Sequence, residues 1–274
     1  MKNNAKRKIL ALTGGVGGAK LALGLSRIIP PDDLTVVVNT GDDFRHLGLA
    51  ISPDIDTVLY TLSGNADPEK GWGRRDETWT FMRTLEQFGT ETWFLLGDAD
   101  LALHVERTHQ LASGISLSQF VDNLRQKLDI GPAVLPMTDN LVQTRVRSDE
   151  GWLEFQDYFV RKRCEPVIRE IVYAGAEHAH PNPKVLALLT DPALYAVIIC
   201  PSNPWLSIGP LLAMPLMRAA IENCKAPVLA VSPLIGGAAV KGPTAKLMRE
   251  LDLESTTTEV ARYYNGLIDG IVID

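Results

Sequence analysis

The sequence of 274 residues lacks the features that mark several classes of protein. It has three cysteines, Cys164, Cys200 and Cys224, whose wide spacing argues against a disulfide framework or a CxxC metal site. It has no run of about 18 apolar residues, so we expect no membrane-spanning helix. The apolar stretch after Lys8 is interrupted by glycines and has no A-x-A cleavage site, which argues against a signal peptide. We therefore expect a cytoplasmic protein without a membrane partner.

The chain also lacks an excess of positive charge. Its 27 Lys and Arg residues against 33 Asp and Glu residues give a net charge of −6 at pH 7, and no basic cluster offsets this acidity. We expect no nucleic-acid partner, because nonspecific affinity for nucleic acids comes from Lys and Arg contacts with phosphates. The charge leaves open the binding of one small phosphorylated ligand. A composition of 46% hydrophobic and 22% charged residues is ordinary for a globular protein.

What the chain does have is a glycine-rich loop. Residues 13–20 read TGGVGGAK, after an apolar run over 9–12 that predicts a buried strand and before a segment with the apolar side of a helix. Glycines let the backbone turn tightly and approach a ligand, and the N–H groups at a helix start attract anions. The loop therefore predicts a phosphate site, whose candidate residues are Gly14, Gly15, Gly17, Gly18 and Lys20.

The loop fits neither of two common phosphate-binding motifs. A P-loop needs Gly-Lys followed by Ser or Thr, but here Ala19 precedes Lys20 and Leu21 follows it. The dinucleotide pattern GxGxxG could begin at Gly15, but Lys20 occupies its last position. An NAD-dependent oxidoreductase, in which Asp42 would bind the ribose of the cofactor, is therefore disfavoured. The sequence also shows no convincing proton donor beside this loop. A packing turn in an α/β domain remains the alternative interpretation.

The rest of the chain alternates apolar strands with helices at both ends. This pattern predicts an α/β fold with a doubly wound, mostly parallel (Rossmann-like) sheet. Buried strands are predicted over residues 34–38 and 196–200, another strand over 228–231 and the start of a last one at 271–273. Helices are predicted over 183–189, 208–223 and 244–251 and from Thr256. We assign residues 1–64 and 181–274 to a nucleotide- and diphosphate-binding core. Residues 65–180 would form an inserted, mainly helical region, with helices over 76–88, 99–112 and 116–128 and a β-hairpin whose strands are 141–146 and 152–159.

Carboxylates and polar loops follow the predicted strands, where ligands bind in open α/β sheets. Four aspartates lie between positions 42 and 56, and Mg²⁺ typically takes one or two carboxylates together with phosphate oxygens. The set predicts contact with a metal or substrate, and turn or cap residues are the alternative. A polar loop at 201–204 follows another predicted strand. The stretch 232–246 could hold a diphosphate from the side opposite to the glycine loop, and a solvated helix N-terminus is the alternative interpretation.

Taken together, these stretches resemble one family, the 2-phospho-L-lactate transferases of coenzyme F420 biosynthesis. The matching motifs run in order along nearly the whole chain: GGVGGA at 14–19, VNTGDD at 38–43, ISPDIDT at 51–57, GWG at 71–73, LGD at 96–98, PSNP at 201–204 with SIGP at 207–210, and SPLIGG at 232–237 with KGP at 241–243. A related, non-catalytic nucleotide-sugar-binding regulator on the same fold is the alternative.

The resemblance implies an Mg²⁺-dependent transferase. A guanylylated three-carbon acid (lactyl, enolpyruvyl or phosphoglyceryl) would donate its phospho-acid part to the ribityl hydroxyl of the deazaflavin Fo, with release of GMP. A homodimer is expected, as is common for this size and class. By motif position, the catalytic residues would be Asp54 and Asp56, the metal ligands Asp42, Asp43 and Asp56, and the Fo contacts Asp54, Asp98, Asp100 and His104. The phosphate and guanosine contacts would be the five glycine-loop residues with Ser202, Asn203, Ser232, Gly236, Gly237 and Lys241.

Overall fold

A computed structural model describes residues 7–69, 71–236, 238–239 and 243–274. The strands are β1 (Lys8–Thr13), β2 (Leu34–Val38), β3 (Phe44–His46), β4 (Leu49–Ile51), β5 (Ala133–Pro136), β6 (Gln143–Ser148), β7 (Gly151–Glu154), β8 (Ile168–Ala174), β9 (Leu194–Ile199), β10 (Val228–Val231), β11 (Leu234–Ile235), β12 (Ala238–Ala239) and β13 (Gly270–Val272).

The α-helices are α1 (Gly15–Ser26), α2 (Pro53–Leu62), α3 (Thr80–Gln87), α4 (Asp98–Ala112), α5 (Leu117–Lys127), α6 (Pro183–Leu189), α7 (Gly209–Leu212), α8 (Pro215–Glu222), α9 (Thr244–Glu250) and α10 (Thr257–Tyr263). A 3-10 turn spans Pro31–Asp33, and π-helical turns span Asp157–Arg161 and Pro204–Ile208.

Six parallel strands form the central sheet, in the order β13-β10-β9-β1-β2-β5. Alternate residues of β1 point to its two faces: Leu10 and Leu12 join one hydrophobic core, and Ile9 and Ala11 join the other. Helices α1, α2 and α5 cover the second face, whereas α6, α8, α9 and α10 cover the first. Burial on both faces explains why these strands are apolar along their length. The predicted doubly wound parallel sheet is confirmed.

The sheet order places the chain reversal at its centre. From β1 the chain adds β2 and then β5 on one side, and later adds β9, β10 and β13 on the other. Strands β1 and β9 are therefore the neighbours from which the connections diverge. A crevice forms at such a point beyond the carboxyl ends of the strands, and it is where ligands bind in this class of fold.

The range predicted as a helical insertion contains more β-structure than the sequence indicated. Its helices are observed as α3, α4 and α5, and its hairpin as β6 and β7, although the second strand ends at Glu154. Strand β8 adds to this hairpin to give a three-stranded sheet. Strand β5 also lies within residues 65–180, but it pairs with β2 and forms the edge of the central sheet. The division into a core and an insertion stays a prediction.

The helix predicted over residues 208–223 is wrong as a single element. It is divided into α7 and α8, which with the preceding π-helical turn make a bend of 90°. Pro215 is the cause, because proline disfavours the helical conformation of the residue before it, and Met214 has ψ 115°. In the described ranges no single helix is long and apolar enough to span a membrane; this bent pair alone passes by length and composition.

Candidate functional site

The glycine loop and the loop after β9 meet at the carboxyl end of the sheet. The backbone N–H of Gly14 donates to Ser202 Oγ at 3.1 Å, and this hydroxyl donates to the carbonyl of Gly14 at 2.7 Å. Next to them, the backbone N–H of Asn39, which follows β2, donates to the carbonyl of Thr13 at 2.9 Å. The structure thus brings together residues from three predicted strand ends.

Side chains are excluded from the glycine loop by close contacts. A Cβ at Gly14 would lie 2.6 Å from Asp54 Oδ2, and one at Gly17 would lie 2.5 Å from the carbonyl oxygen of Pro201. A Cβ at Gly18 would overlap the hydroxyls of Thr13 and Ser202, and Gly15 has φ +63°. Helix α1 starts here without a side-chain cap or an acidic residue in its first turn. The start of α1 therefore suits an anion, while the close contacts also support the packing interpretation. Lys20 is exposed on α1.

Two aspartates enter the site from the first turn of α2. This helix begins at Pro53, which suits a first helical position, and carries Asp54 and Asp56 directly after it. Asp54 is 6% exposed; it accepts a hydrogen bond from Asn39 Nδ2 at 3.0 Å and another from the backbone of Gly15. Asp54 therefore lies against the glycine loop itself.

The other two aspartates come from the loop after β2. Asp43 accepts a hydrogen bond at 2.7 Å from the hydroxyl of Ser52, and Asp42 accepts a weaker one at 3.4 Å from Thr144 on β6. Burial raises the pKa of both carboxyls well above the ordinary value, and the neighbouring charge of Asp54 raises it further. The four predicted carboxylates are therefore brought together, in surroundings that disfavour their ionised forms.

Unpaired carboxylate oxygens show that this cluster fits a cation. Among the described residues, Asp43 Oδ1 and Asp56 Oδ2 are buried and have no hydrogen-bond partner. A buried polar atom without a partner is costly, and carboxylate oxygens are the ligands that a hard divalent cation takes. Asp56, Asp100 and His104 also form a group that could hold a metal ion, because their ligand atoms lie within 4.8 Å of one another.

His104 lies between two carboxylates. Its Nε2 is 3.1 Å from Asp100 Oδ2, its Nδ1 is 3.7 Å from Asp56 Oδ2, and it is 1% exposed. The other oxygen of Asp100 accepts a hydrogen bond from the hydroxyl of Tyr60 at 2.5 Å. Asp100 and His104, predicted as Fo contacts, therefore join Asp56 in one buried network.

Arg107 belongs to this network but was missed by the sequence analysis. It is completely buried, and its guanidinium donates to Asp56 Oδ1 and, at 3.2 Å, to the carbonyl of Ala50. The available signal was the spacing of Asp100, His104 and Arg107, which places all three on one face of α4. The pairing with Asp56, which lies 51 positions away in the chain, has no local signal.

Several predicted contact residues bond to neighbouring groups of the protein. Asn203 Oδ1 accepts from the backbone N–H groups of Trp205 and Leu206, both at 3.0 Å. Ser232 Oγ accepts from the N–H of Leu234 at 3.1 Å, and the N–H of Gly236 donates to the Asp274 carboxylate at 3.1 Å. Gly237 and Lys241 lie outside the described residues. Substrate contact by any of these residues stays a prediction.

Asp98 is expected to act as a helix cap. Its carboxylate accepts hydrogen bonds from the N–H groups of Thr80 and Phe81, at 3.0 and 2.9 Å, at the start of α3. We expect Asp98→Ala to lower Tm by removing the cap while leaving the KM for Fo unchanged, and Asp98→Asn to restore part of the Tm. Thermal scans and steady-state assays measure both quantities, and a KM raised about tenfold would instead place Asp98 at the Fo site.

Stability is expected to depend on pH through Asp54. Burial raises the pKa of this carboxyl to about 6, whereas an aspartate in an unfolded chain titrates near about 3.9. Between these values the folded state binds more protons, so the free energy of unfolding falls as pH rises and levels off above the folded pKa. The test compares the unfolding free energies of the wild type and of Asp54→Asn at each pH. We expect the difference, wild type minus variant, to fall by on the order of 3 kcal/mol as the pH rises from the unfolded to the folded pKa of Asp54. Urea unfolding with a chelator present measures it, and a flat difference contradicts it.

Comparison with known proteins places the chain among transferases. It matches the family described as 2-phospho-L-lactate transferase CofD over residues 9–274. A phosphoenolpyruvate transferase of Streptomyces griseus is 41% identical over 273 residues, which cover 97% of this chain and 85% of that protein. A 2-phospho-L-lactate transferase of Methanosarcina mazei is 39% identical over 266 residues, which cover 97% and 86%.

The fold also has a counterpart among solved structures. A UPF0052-family protein of Bacillus halodurans aligns with a TM-score of 0.62, covering 98% of this chain and 80% of that one. The two sequences are 17% identical. This likeness supports the α/β architecture and carries no information about activity.

Proposed function

The chain belongs to the 2-phospho-L-lactate transferase CofD family, and from this membership we propose that it transfers a phospho-2-hydroxy-acid group to the ribityl hydroxyl of the deazaflavin Fo. The donor would be a guanosine diphosphate-linked three-carbon acid, and GMP would leave. Family and relatives support the coarser statement, a phospholactate or phosphoenolpyruvate transferase of coenzyme F420 biosynthesis. The observation that carries the proposal is the group of buried aspartates against the glycine loop.

The reaction is a displacement at phosphorus. The oxygen of the Fo hydroxyl forms a bond to the phosphorus that carries the acid, and the bond from that phosphorus to the bridging oxygen of GMP breaks. The hydroxyl proton passes to a base, and the bridging oxygen leaves with its electron pair as part of GMP. Little covalent work is left for the protein, so positioning and neutralisation of charge supply the catalysis.

We assign the proton transfer to the carboxylates of α2. Asp54 lies against the glycine loop, so a phosphate held at the start of α1 is next to its carboxylate. A buried carboxylate whose pKa is raised is a better proton acceptor than a solvated one. Asp54 or Asp56 would thus orient or deprotonate the hydroxyl of Fo. Ser202, through its two bonds with Gly14, would hold the loop in the shape that binds the diphosphate.

The site fits Mg²⁺ by its donor atoms. Asp42, Asp43 and Asp56 offer carboxylate oxygens, and those of Asp43 and Asp56 include buried oxygens without a partner among the described residues. When bound, Mg²⁺ would neutralise charge on the phosphate oxygens.

A substrate assay tests the proposed function. Purified protein with Mg²⁺ is incubated with Fo and, separately, with the lactyl, enolpyruvyl and phosphoglyceryl donors, and products are identified by mass spectrometry. We expect a new Fo phosphodiester and an equal amount of GMP with at least one donor. Binding of guanosine nucleotides without turnover of Fo, for any donor, would favour a regulator on the same fold. A cytoplasmic homodimer, with small molecules as its partners, is our expectation from the sequence.

A further inference from the structure

The buried network around Asp56 includes Arg107, an arginine that joins three elements of the fold. Arg107 lies on α4, is paired with Asp56 and is completely buried. Its guanidinium joins Asp56 Oδ1, on α2, to the carbonyl of Ala50, on β4. It is also 3.4 Å from His104 Nδ1. One side chain therefore fixes the start of α2 to two neighbouring elements.

The two oxygens of Asp56 have different surroundings. Oδ1 is taken by the guanidinium, whereas Oδ2 is buried without a hydrogen-bond partner among the described residues. The nearest nitrogen of His104 is 3.7 Å from Oδ2, which is longer than a hydrogen bond. Because a planar guanidinium bonds in a fixed fork, it holds a carboxylate in one orientation more strictly than an ammonium can.

We propose that Arg107 is a positioning residue of this site: it holds Asp56 by Oδ1 so that Oδ2 is presented, unpaired, to the reacting groups. The inference rests on the proposed function, in which Asp56 orients or deprotonates the Fo hydroxyl or holds the metal. We place Arg107 outside direct substrate contact, since its two terminal nitrogens donate to Ala50 and Asp56 and the whole side chain is inaccessible to solvent; its Nε is buried without a partner among the described residues.

The variant Arg107→Lys keeps the charge but cannot bond Asp56 and Ala50 in the same fork. We expect kcat for the transfer to Fo to fall about 100-fold, as small misplacements of a reacting group do, with both KM values within about twofold of the wild type. Its crystal structure should show the Asp56 carboxylate in a changed orientation. A second variant, Arg107→Ala, should lose more activity and regain part of its kcat when methylguanidinium is added, because the cation can occupy the vacated cavity.

Arg125 provides a matched control. It too bonds a carboxylate, Asp122 at 3.0 Å, and a backbone carbonyl, Ile130 at 2.8 Å, but it lies on α5, outside the network of Asp56. We expect Arg125→Ala to keep the kcat of the wild type and to show no response to methylguanidinium. If Arg107 had only a structural role, Arg107→Ala and Arg125→Ala should behave alike. Each would give less folded protein, and the folded fraction would turn over at the wild-type rate.

Two results overturn the inference. One is a folded Arg107→Lys whose kcat stays within about threefold of the wild type, and the other is an Asp56 carboxylate that keeps its orientation in the crystal structure of that variant. If Arg107→Lys does not fold, absence of rescue in Arg107→Ala overturns it instead. If the wild type does not modify Fo, the proposed function is wrong. The crystal structure of Arg107→Lys still tests the inference in that case, because it shows whether the Asp56 carboxylate keeps its orientation.

Discussion

Gly18→Ala is expected to slow transfer to Fo strongly and to destabilise the protein. The added methyl would overlap the hydroxyls of Thr13 and Ser202. To make room, Ser202 must give up its two bonds with Gly14, at 3.1 and 2.7 Å, and these bonds shape the start of α1. Overpacking a close-packed site costs about 1–3 kcal/mol, and displacement of the loop should lower kcat/KM at least ~100-fold.

Gly24→Ala is the control for this prediction. Gly24 lies in the same helix on its exposed side, and beyond its chain neighbours and the backbone of its own helix no atom of the described residues lies within 4 Å of an added Cβ. Alanine is better than glycine in a helix interior by about 1 kcal/mol, so this variant should be slightly more stable and fully active. Chemical denaturation and the Fo assay compare the two. Equal activity of Gly18→Ala and wild type would show that the loop is a packing turn without a role in binding.

Asp54→Asn and Asp56→Asn are each expected to lower kcat by about 10²- to 10⁴-fold, the range that general acid–base catalysis supplies. The amide is nearly isosteric but cannot accept the proton of the Fo hydroxyl. Asp54 accepts hydrogen bonds from Asn39 Nδ2 and from the N–H of Gly15. In Asp54→Asn the new NH₂ group would face one of these donors, and that hydrogen bond would be lost. Single-turnover measurements with enzyme in excess separate this loss from slower release of products.

Asp122→Asn serves as the control for both aspartate variants. Asp122 bonds Arg125 and Gln126 on α5 and belongs to a surface ion pair, so its substitution should leave kcat unchanged. Turnover at the wild-type rate in both Asp54→Asn and Asp56→Asn would show that neither carboxylate takes part in the reaction. A loss confined to Asp54→Asn would assign the proton transfer to the residue that contacts the glycine loop.

Local patterns in the sequence determined much of the framework. A short apolar run, a glycine-rich turn and a helical pattern lie next to one another in residues 9–28, and they fold as β1 and α1. Cap signals acted in the same way: Ser116 and Gln119 form the capping box of α5, and Asn182 caps α6. Such signals succeed because the interacting groups are a few residues apart, so their geometry is fixed by the backbone of a single element.

Only the tertiary structure decided how these elements meet. Strand patterns do not specify the order β13-β10-β9-β1-β2-β5, and yet this order sets Ser202 against Gly14, 188 positions apart in the chain. The pairing of Arg107 with Asp56 likewise depends on how α4 packs against β4 and α2. The physical reason is that the hydrophobic effect is not directional, so burial alone does not select which apolar faces meet. A hydrogen bond or ion pair, in contrast, forms only where the packing of whole elements brings two polar groups within about 3 Å. The sequence supplied the glycine loop and the aspartates, and the packing of the elements brought them together.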